Sequence, residues 1–332
     1  MRIGVVGAGK IAQKHIASYQ GLNIEDIYVF DSNPAAAKKI AKEHNAKCTN
    51  SLEEIINSVD VIDVCTPVKT HRNIILQSLS QKKHIFCEKP LCETVDEANE
   101  IKRAVEKSKT HLMTGYLYRF HPKFQQVKKW LDRGIIGDIH FGIFRVGGRG
   151  NHKKWKHLKE TGGGCINEML VHKLDLINFL FSRISDVKLL TCDIILKERI
   201  IDGEKFKATA EDNLSLSLKA GNCKLICQAD FTTPCYMEYI ELHGSKGSIF
   251  TSILDSLPTA LYLNEPIDGY KMGNNFIPPE MTPNLFELEL KHFIDSIKNQ
   301  TENTSNINDS IKLLKITESI EKQAEKFNAE YC

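Results

Sequence analysis

Two short segments contain side chains of the types that move protons. Lys89 lies in Cys87-Glu88-Lys89-Pro90, directly after an apolar run, and Glu168 and His172 lie four residues apart behind three glycines. On a helix this spacing puts a carboxylate and an imidazole on one face, where the carboxylate can orient the ring and raise its basicity. A lysine can hydrogen-bond a hydroxyl as its proton leaves. The alternatives are a surface lysine and a polar pair at the start of a helix.

A glycine-rich turn near the amino terminus predicts a nucleotide site. Gly7-Ala8-Gly9-Lys10-Ile11-Ala12 has the spacing G-x-G-x-x-A and follows the apolar run Ile3–Val6. In this motif the first glycine makes a tight turn, the second lets the backbone approach a pyrophosphate, and the alanine keeps helix and strand close. The expected cofactor contacts here are Gly7, Gly9, Lys10, Ile11 and Ala12.

Asp31 ends the second apolar run, 22 residues after Gly9. A carboxylate at this point accepts hydrogen bonds from ribose hydroxyls and repels a 2′-phosphate, so it favours NAD over NADP. The alternative is that Asp31 is only a turn residue before Ser32-Asn33-Pro34.

The elements that must position these residues alternate along the first 120 residues. Apolar runs predict strands at Ile3–Val6, Ile27–Phe30, Val59–Cys65, His84–Cys87 and His111–Leu117. Amphipathic stretches between them predict helices at Ile11–Tyr19, Pro34–Glu43, Ile74–Leu79 and Val95–Val105. This alternation predicts an α/β domain over residues 1–120 with a doubly wound, parallel sheet.

The pattern changes after about Arg119. Helices are predicted at Pro122–Leu131, Ile166–Phe181, Phe286–Ile297 and Ile311–Phe327, and strands at Ile139–Val146, Val187–Leu196, Asn213–Lys219, Lys224–Phe231 and Tyr239–His243. Leu214–Leu218 alternates between apolar and polar residues, which is typical of a sheet with one covered face, and Gly244–Gly247 suggests a hairpin. We therefore expect residues 121–332 to form an α+β domain with a large, mostly antiparallel open sheet, with the alternative that its C-terminal helices pack back toward the first domain.

Composition narrows the class of protein. The 332 residues are 42% hydrophobic, and 44 Lys+Arg against 42 Asp+Glu leave a formal net charge of +2. This near balance argues against nucleic acid as a partner. The sequence contains no run of eighteen apolar residues, no signal-peptide pattern, no C-x-x-C pair among its ten cysteines and no metal-ligand spacing. We therefore expect a cytoplasmic protein with reduced thiols, without a membrane partner or a metal.

Five motifs, in order along nearly the whole chain, resemble the Gfo/Idh/MocA family, named for glucose–fructose oxidoreductase, inositol dehydrogenase and a rhizopine-catabolism protein. Gly7–Ala12 is similar to the family's nucleotide fingerprint. Cys65–His71 resembles its T-P-N-x-x-H segment, although the frequent asparagine does not follow Pro67 here. The other matches are Lys83–Leu91 with G-K-H-V-x-x-E-K-P-L, Gly115–Pro122 with G-Y-x-x-R-F-x-P, and Trp155, Gly162–Gly164 and the Glu168/His172 pair with the substrate-domain helix.

The resemblance implies a Rossmann domain followed by a sheet domain, and hydride transfer between NAD and a hydroxyl or keto carbon of a sugar-like substrate. Lys89 would polarise the hydroxyl, His172 would be the base, and Glu168, where many members have aspartate, would touch substrate or orient His172. Further implied cofactor contacts are Thr66, Pro67, His71, Glu88 and Lys89. The implied substrate contacts are Lys89, Tyr118, Arg119, Lys153, Trp155, Glu168 and His172.

Several alternatives remain open from the sequence. The basic stretch Asn151–Lys159 is either a solvated face or a phosphate site, so a nucleotide sugar stands beside a free sugar, an inositol or a diol as substrate. Arg119 either contacts ligand or anchors the domain junction. The resemblance implies a homodimer or homotetramer formed through the exposed sheet face. A regulatory NAD-binding protein of the same fold is the non-enzyme alternative, and the retention of Lys89, His172 and a carboxylate at 168 favours an enzyme.

Overall fold

The computed structural model describes residues 1–148, 153–278 and 281–330, with side chains described through residue 326. The chain divides into two units. The first comprises Met1–Phe120 and Thr282–Lys315, and the second comprises His121–Met281 and the residues from Ile316 onward. The long helix α9 (Ile307–Glu330) begins in the first unit and continues into the second.

The first unit contains a six-stranded, fully parallel sheet in the order β3-β2-β1-β4-β5-β6. Its strands are β1 (Ile3–Val6), β2 (Ile27–Phe30), β3 (Lys47–Cys48), β4 (Val61–Val64), β5 (His84–Glu88) and β6 (Leu112–Gly115). The helices between them are α1 (Lys10–Gly21), α2 (Pro34–Glu43), α3 (Leu52–Ser58), α4 (His71–Ser80) and α5 (Val95–Ser108). The strand order reverses between β1 and β4, the place where Rossmann folds bind dinucleotides. The predicted doubly wound sheet is confirmed.

Side-chain alternation along the strands builds a core on each face of this sheet. Ile3 and Val5 of β1 pack on one face, together with Phe293 of α8 (Leu285–Asn299). Val6 packs on the other face with Ile62 of β4. Polar caps fix the helix starts, because the side chains of Asn33, Ser51 and Thr94 accept N–H groups at the starts of α2, α3 and α5. The sheet is therefore covered on both faces.

The second unit contains an eight-stranded sheet in the order β16-β15-β14-β13-β7-β12-β11-β8. Its strands are β7 (Ile139–Gly147), β8 (Ile184–Asp193), β11 (Asn213–Ala220), β12 (Cys223–Asp230), β13 (Met237–Gly244), β14 (Gly247–Thr251), β15 (Thr259–Leu263) and β16 (Gly273–Ile277). A separate hairpin joins β9 (Glu198–Ile201) and β10 (Glu204–Lys207). The pair β7–β12 is parallel and the other pairs are antiparallel, which confirms the mostly antiparallel sheet. Helices α6 (Pro122–Asp132) and α7 (Val171–Phe181) belong to this unit.

Two predicted elements differ from the structure. The strand predicted at Val187–Leu196 begins at Ile184 and ends at Asp193, because the N–H groups of Ile195 and Leu196 donate to the Asp212 carboxylate instead of a neighbouring strand. The helix predicted at Ile166–Phe181 is α-helical only from Val171, since Ile166–Leu170 is a π-helical turn. Such turns are frequent at functional sites. Among the helices of the described chain, none is long and apolar enough to cross a membrane.

Candidate functional site

The turn after β1 provides open space at the start of α1. Gly7 has a φ of +108°, and a Cβ there would lie 2.7 Å from the carbonyl oxygen of Cys65. Gly9 precedes α1 without a side-chain cap, and a Cβ there would meet nothing within 4 Å. The first N–H groups of α1 thus face a space that a pyrophosphate fits, with the positive end of the helix dipole behind it. Lys10 is exposed at this helix start, Ile11 is half-buried and Ala12 is buried.

Asp31 holds the glycine turn in place. One carboxylate oxygen accepts the N–H of Ala8 at 2.7 Å, and the other accepts the N–H of Asn33 at 2.7 Å. The residue therefore has the turn role that was the alternative interpretation. Each carboxylate oxygen has a second lone pair, and the side chain is half-buried, so it retains the capacity to accept ribose hydroxyls.

The loops that follow β4 and β5 are joined by His71. Its Nε2 lies 2.8 Å from the carbonyl oxygen of Thr66, and its Nδ1 lies 3.0 Å from that of Pro90. The ring is buried, and burial lowers its pKa. In the neutral ring one nitrogen donates to a carbonyl oxygen and the other carries no proton. His71 thus lies between two backbone segments, whereas Thr66 is half-buried and Pro67 is exposed at the same edge.

Lys89 lies at the carboxyl end of β5, before a cis peptide bond to Pro90. Its backbone N–H donates to Oε2 of Glu88 at 3.2 Å. Val64 pairs with both Val6 and Cys87, so β1, β4 and β5 end at one level. The structure therefore places Lys89 and the glycine turn at the same edge of the sheet.

A buried polar cluster lies behind this edge, and the sequence motifs did not predict it. His15 of α1 is 0% exposed, and its Nδ1 lies 2.9 Å from Oδ2 of Asp63 and 3.4 Å from Sγ of Cys65. Its Nε2 lies 3.3 Å from Oε1 of Glu88. Two sequence signals point to it: His15 falls three residues after buried Ala12 on one helical face, and Asp63 interrupts an apolar strand.

Charge interactions in this cluster outweigh the cost of burial. Burial opposes the charged imidazole of His15, but the Asp63 carboxylate raises its pKa well above the ordinary value. Burial likewise opposes the Glu88 carboxylate, but His15 and Lys89 lower its pKa. Burial raises the pKa of Cys65, which stays a thiol and donates to Asp63 at 3.3 Å. His15, Asp63 and Cys65 have ligand-type atoms within 4.8 Å of one another, but hydrogen bonds account for this arrangement without a metal ion.

In the second unit, Glu168 lies in the π-helical turn and His172 in the first turn of α7. Oε2 of Glu168 lies 2.5 Å from Nζ of Lys156. The start of the turn is held by Glu211, whose carboxylate accepts the Ile166 N–H at 3.0 Å. Burial raises the pKa of Glu211 to about 7.

The next residue on α7 anchors the helix to the sheet. Lys173 is fully buried and forms an ion pair with Glu238 of β13, which also accepts the N–H of Ile253 at 2.8 Å. His172 is half-buried. The buried pair fixes the rotation of α7 about its axis and thereby the direction in which the His172 side chain projects from the helix.

The basic stretch is largely neutralised by carboxylates. Lys154 pairs with Glu204 at 2.5 Å, and Lys159 lies 3.4 Å from Glu325, in addition to the Lys156–Glu168 pair. Lys153 and Trp155 are exposed, and the Lys156 ammonium lies 5.4 Å from the Trp155 ring centroid. Asn151 and His152 lie outside the described residues. This pairing fits the solvated-face interpretation better than a phosphate site.

Arg119 lies inside the first unit. It is 2% exposed, its guanidinium lies 3.1 Å from Oδ2 of Asp309, and it donates to the carbonyl oxygen of Thr304. These contacts support an anchoring role within the first unit. Tyr118, in the same single-turn helix Leu117–Phe120, is half-buried.

Comparisons with known proteins agree with this architecture. A model of the oxidoreductase family with an NAD-binding Rossmann fold matches residues 1–116, and the GFO/IDH/MocA C-terminal domain matches residues 124–250. Inositol 2-dehydrogenase of Rhizobium meliloti (strain 1021) is 26% identical over 323 residues, 96% of this chain and 95% of that protein. Myo-inositol 2-dehydrogenase of Thermotoga maritima is 27% identical over 305 residues, 90% of this chain and 88% of that protein.

Solved structures share the complete fold. Levoglucosan dehydrogenase in complex with NADH and levoglucosan aligns with a TM-score of 0.87 over 98% of this chain and 97% of that chain, at 19% identity. The two domain models together match most of the chain, in the order that the motifs predicted. The resemblance seen in the motifs is confirmed: the chain belongs to the Gfo/Idh/MocA family of NAD-binding oxidoreductases.

Proposed function

We propose that this dehydrogenase oxidises a secondary hydroxyl of an uncharged cyclic polyol, a sugar or an inositol, with NAD. The observation that carries the proposal is the presence of Lys89 at the cofactor edge of the first sheet together with the Glu168/His172 pair at the start of α7. We assign cofactor binding to residues 1–120, and substrate binding and self-association to the part of residues 121–332 that forms the second unit.

The reaction requires a hydride and a proton to leave the substrate. Bound NAD supplies the hydride acceptor. The Lys89 ammonium hydrogen-bonds the reacting oxygen and stabilises the negative charge that develops there. The His172 imidazole accepts the hydroxyl proton, and Glu168 stabilises the resulting imidazolium. The ketone forms as the C–H electron pair departs as hydride, and the reverse reaction uses the same groups.

Two observations support an uncharged substrate. Lys154, Lys156 and Lys159 already have carboxylate partners, so a phosphate that binds this stretch must compete with them. Relatives that match nine-tenths or more of this chain include inositol and levoglucosan dehydrogenases, whose names point to polyols that carry no phosphate. A nucleotide sugar is the competing substrate class.

The cofactor preference follows from Asp31. Its carboxylate lies at the end of β2, beside the glycine turn, and repels a 2′-phosphate. We therefore propose that the enzyme uses NAD rather than NADP.

We also propose that two or more copies associate through the open face of the second sheet. The residues of the opposite face, such as Phe144 and Ile240, are fully buried, whereas Phe141 is 38% exposed. On the open face Phe141 stacks on His243, and Tyr239 stacks on Phe250. An open sheet face that presents exposed aromatic rings in this way fits a self-association surface.

The test is a panel of free sugars, inositols and nucleotide sugars, read by NADH absorbance and product analysis, with Lys89→Met and His172→Asn variants. We expect turnover of at least one free polyol and a loss of turnover of about 10²-fold or more in each variant, with NAD affinity largely kept. Near-normal turnover in both variants would contradict the assigned roles. Turnover of nucleotide sugars alone would overturn the substrate class, and no redox change with any compound would favour a regulator.

A further inference from the structure

We propose that His15 is a positioning residue for Lys89 and acts on it through Glu88. This inference rests on the catalytic role proposed for Lys89. The imidazole Nε2 of His15 lies 3.3 Å from Oε1 of Glu88, and Oε2 of Glu88 accepts the backbone N–H of Lys89 at 3.2 Å. A single carboxylate therefore connects a buried ring on α1 to the residue that carries the reacting ammonium.

The opposite side of the ring is held more firmly, because the Nε2 contact with Glu88 is an ion pair without hydrogen-bond geometry. Nδ1 of His15 lies 2.9 Å from the carboxylate of Asp63, which is itself 0% exposed. Phe86 contacts the ring edge-on, with centroids 5.5 Å apart, and Phe286 lies at the same centroid distance. With a carboxylate at each nitrogen, the ring carries both protons as an imidazolium, and the raised pKa of His15 agrees with this state.

The cluster sets the charge behind Lys89. One imidazolium and two carboxylates, from His15, Asp63 and Glu88, leave one negative charge in excess next to the Lys89 backbone. The other titratable groups in the cluster are Cys65, Tyr19 and Glu289 around His15 and Asp63, and His71 and Cys87 near Glu88.

Two substitutions that change the charge of the cluster in opposite directions, His15→Gln and Glu88→Gln, provide the test. In the His15→Gln variant the negative excess grows, so the alkaline limb of the kcat profile moves to higher pH, because more negative surroundings hold a proton more tightly. In the Glu88→Gln variant the excess disappears, and the same limb moves to lower pH. We expect shifts of about half a pH unit or more and a kcat lowered about tenfold in each variant, and for His15→Gln an NAD affinity within about twofold of the wild type.

The double variant separates positioning from a general loss of structure. Because the double variant restores the original charge excess, we expect the alkaline limb of its kcat profile to lie near the wild-type pH. Its kcat should stay low, but no lower than that of the worse single variant. Tyr19→Phe is the matched control: it removes a buried hydroxyl from the same helix next to Asp63 without touching Glu88, and should leave the profile unchanged.

The positioning role is overturned if the alkaline limb moves in the same direction in both single variants. It is also overturned if the kcat losses of the single variants add in the double variant. If the His15→Gln variant does not fold by circular dichroism, the Glu88→Gln variant decides alone, and an unshifted limb there overturns the proposal. If Lys89→Met keeps normal turnover, the proposed function fails instead, whatever the His15 variants show.

Discussion

Nζ of Lys156 lies 2.5 Å from Oε2 of Glu168, so the segment ahead of the three glycines is tied by charge to the turn that begins the His172 helix. Both side chains are largely buried, with exposures of 27% and 14%. Glu168 stands where many family members have aspartate, and its longer side chain reaches this lysine. The pair fixes the Glu168 carboxylate within the turn that precedes the helix of the proposed base.

Replacing Lys156 with methionine keeps the length of the side chain and removes its charge. We expect kcat to fall about tenfold, because Glu168 loses the partner that orients it, while NAD affinity is unchanged. Steady-state kinetics of Lys156→Met and Lys154→Met measure the effect. Lys154 serves as the control, since it belongs to the same stretch but pairs with Glu204. Equal losses in the two variants would contradict a specific role for the Lys156–Glu168 pair.

Replacing Asp31 tests the cofactor preference. We expect Asp31→Ser to shift the ratio of kcat/KM for NAD to that for NADP toward NADP by about tenfold or more, because the charge that repels the 2′-phosphate is gone. Activity with both cofactors should also fall, since Ala8 loses its hydrogen-bond acceptor. Asp31→Asn, which keeps an oxygen for Ala8 but removes the charge, should shift the ratio with a smaller loss. An unchanged ratio in both variants would remove Asp31 from cofactor selection.

Glu211 makes stability depend on pH. Burial raises its pKa from 4.5 to about 7, so the folded state favours the protonated carboxyl. The stability contributed by this group is complete below the ordinary pKa and is lost as the pH rises through about 7. We expect Glu211→Gln to have a higher Tm than the wild type, and the difference in Tm to be larger at about pH 8 than at about pH 5. Glu160→Gln is the control, because the pKa of exposed Glu160 is lowered instead. A difference in Tm between Glu211→Gln and the wild type that does not change with pH would refute the prediction.

A charge on the open sheet face should separate the proposed oligomer. Ile226 lies half-buried on β12 within that face. We expect Ile226→Lys to be smaller than the wild type by light scattering, with NAD affinity retained. Met272→Lys is the control, since Met272 is exposed in the loop before β16 and outside the sheet. The proposed surface is wrong if the wild type is already a monomer or if both variants keep its mass.

The elements that are predicted most accurately from the sequence are the strands formed by buried apolar runs. The main Rossmann strands were located to within one or two residues because nearly all their residues are buried. The short strand β3, with both residues exposed, and the hairpin β9–β10 were not predicted, since they contain no such run. The strands β15 and β16 and helix α3 were missed as well.

The motif residues of the candidate site were predicted, but their supporting contacts were not. Hydrogen bonding between His15 and Asp63 joins residues 48 positions apart, and only the strand order of the sheet brings them together. The burial of Arg119 follows from Asp309, near the other end of the chain, which no local pattern reveals. The pairing of Lys156 with Glu168 likewise depends on the turn between them.

The parallel pairing of β7 with β12 has an evolutionary consequence. Between these strands the chain leaves β7, forms the segment from Lys153 to α7, and returns through β8 and β11 on the far side of β12. The residues proposed to recognise substrate therefore lie in a crossover connection whose length does not alter the register of β7 with β12. Such a segment can be lengthened, shortened or exchanged while the strand pairing persists, so new substrates can be acquired without rebuilding the sheet or the cofactor domain.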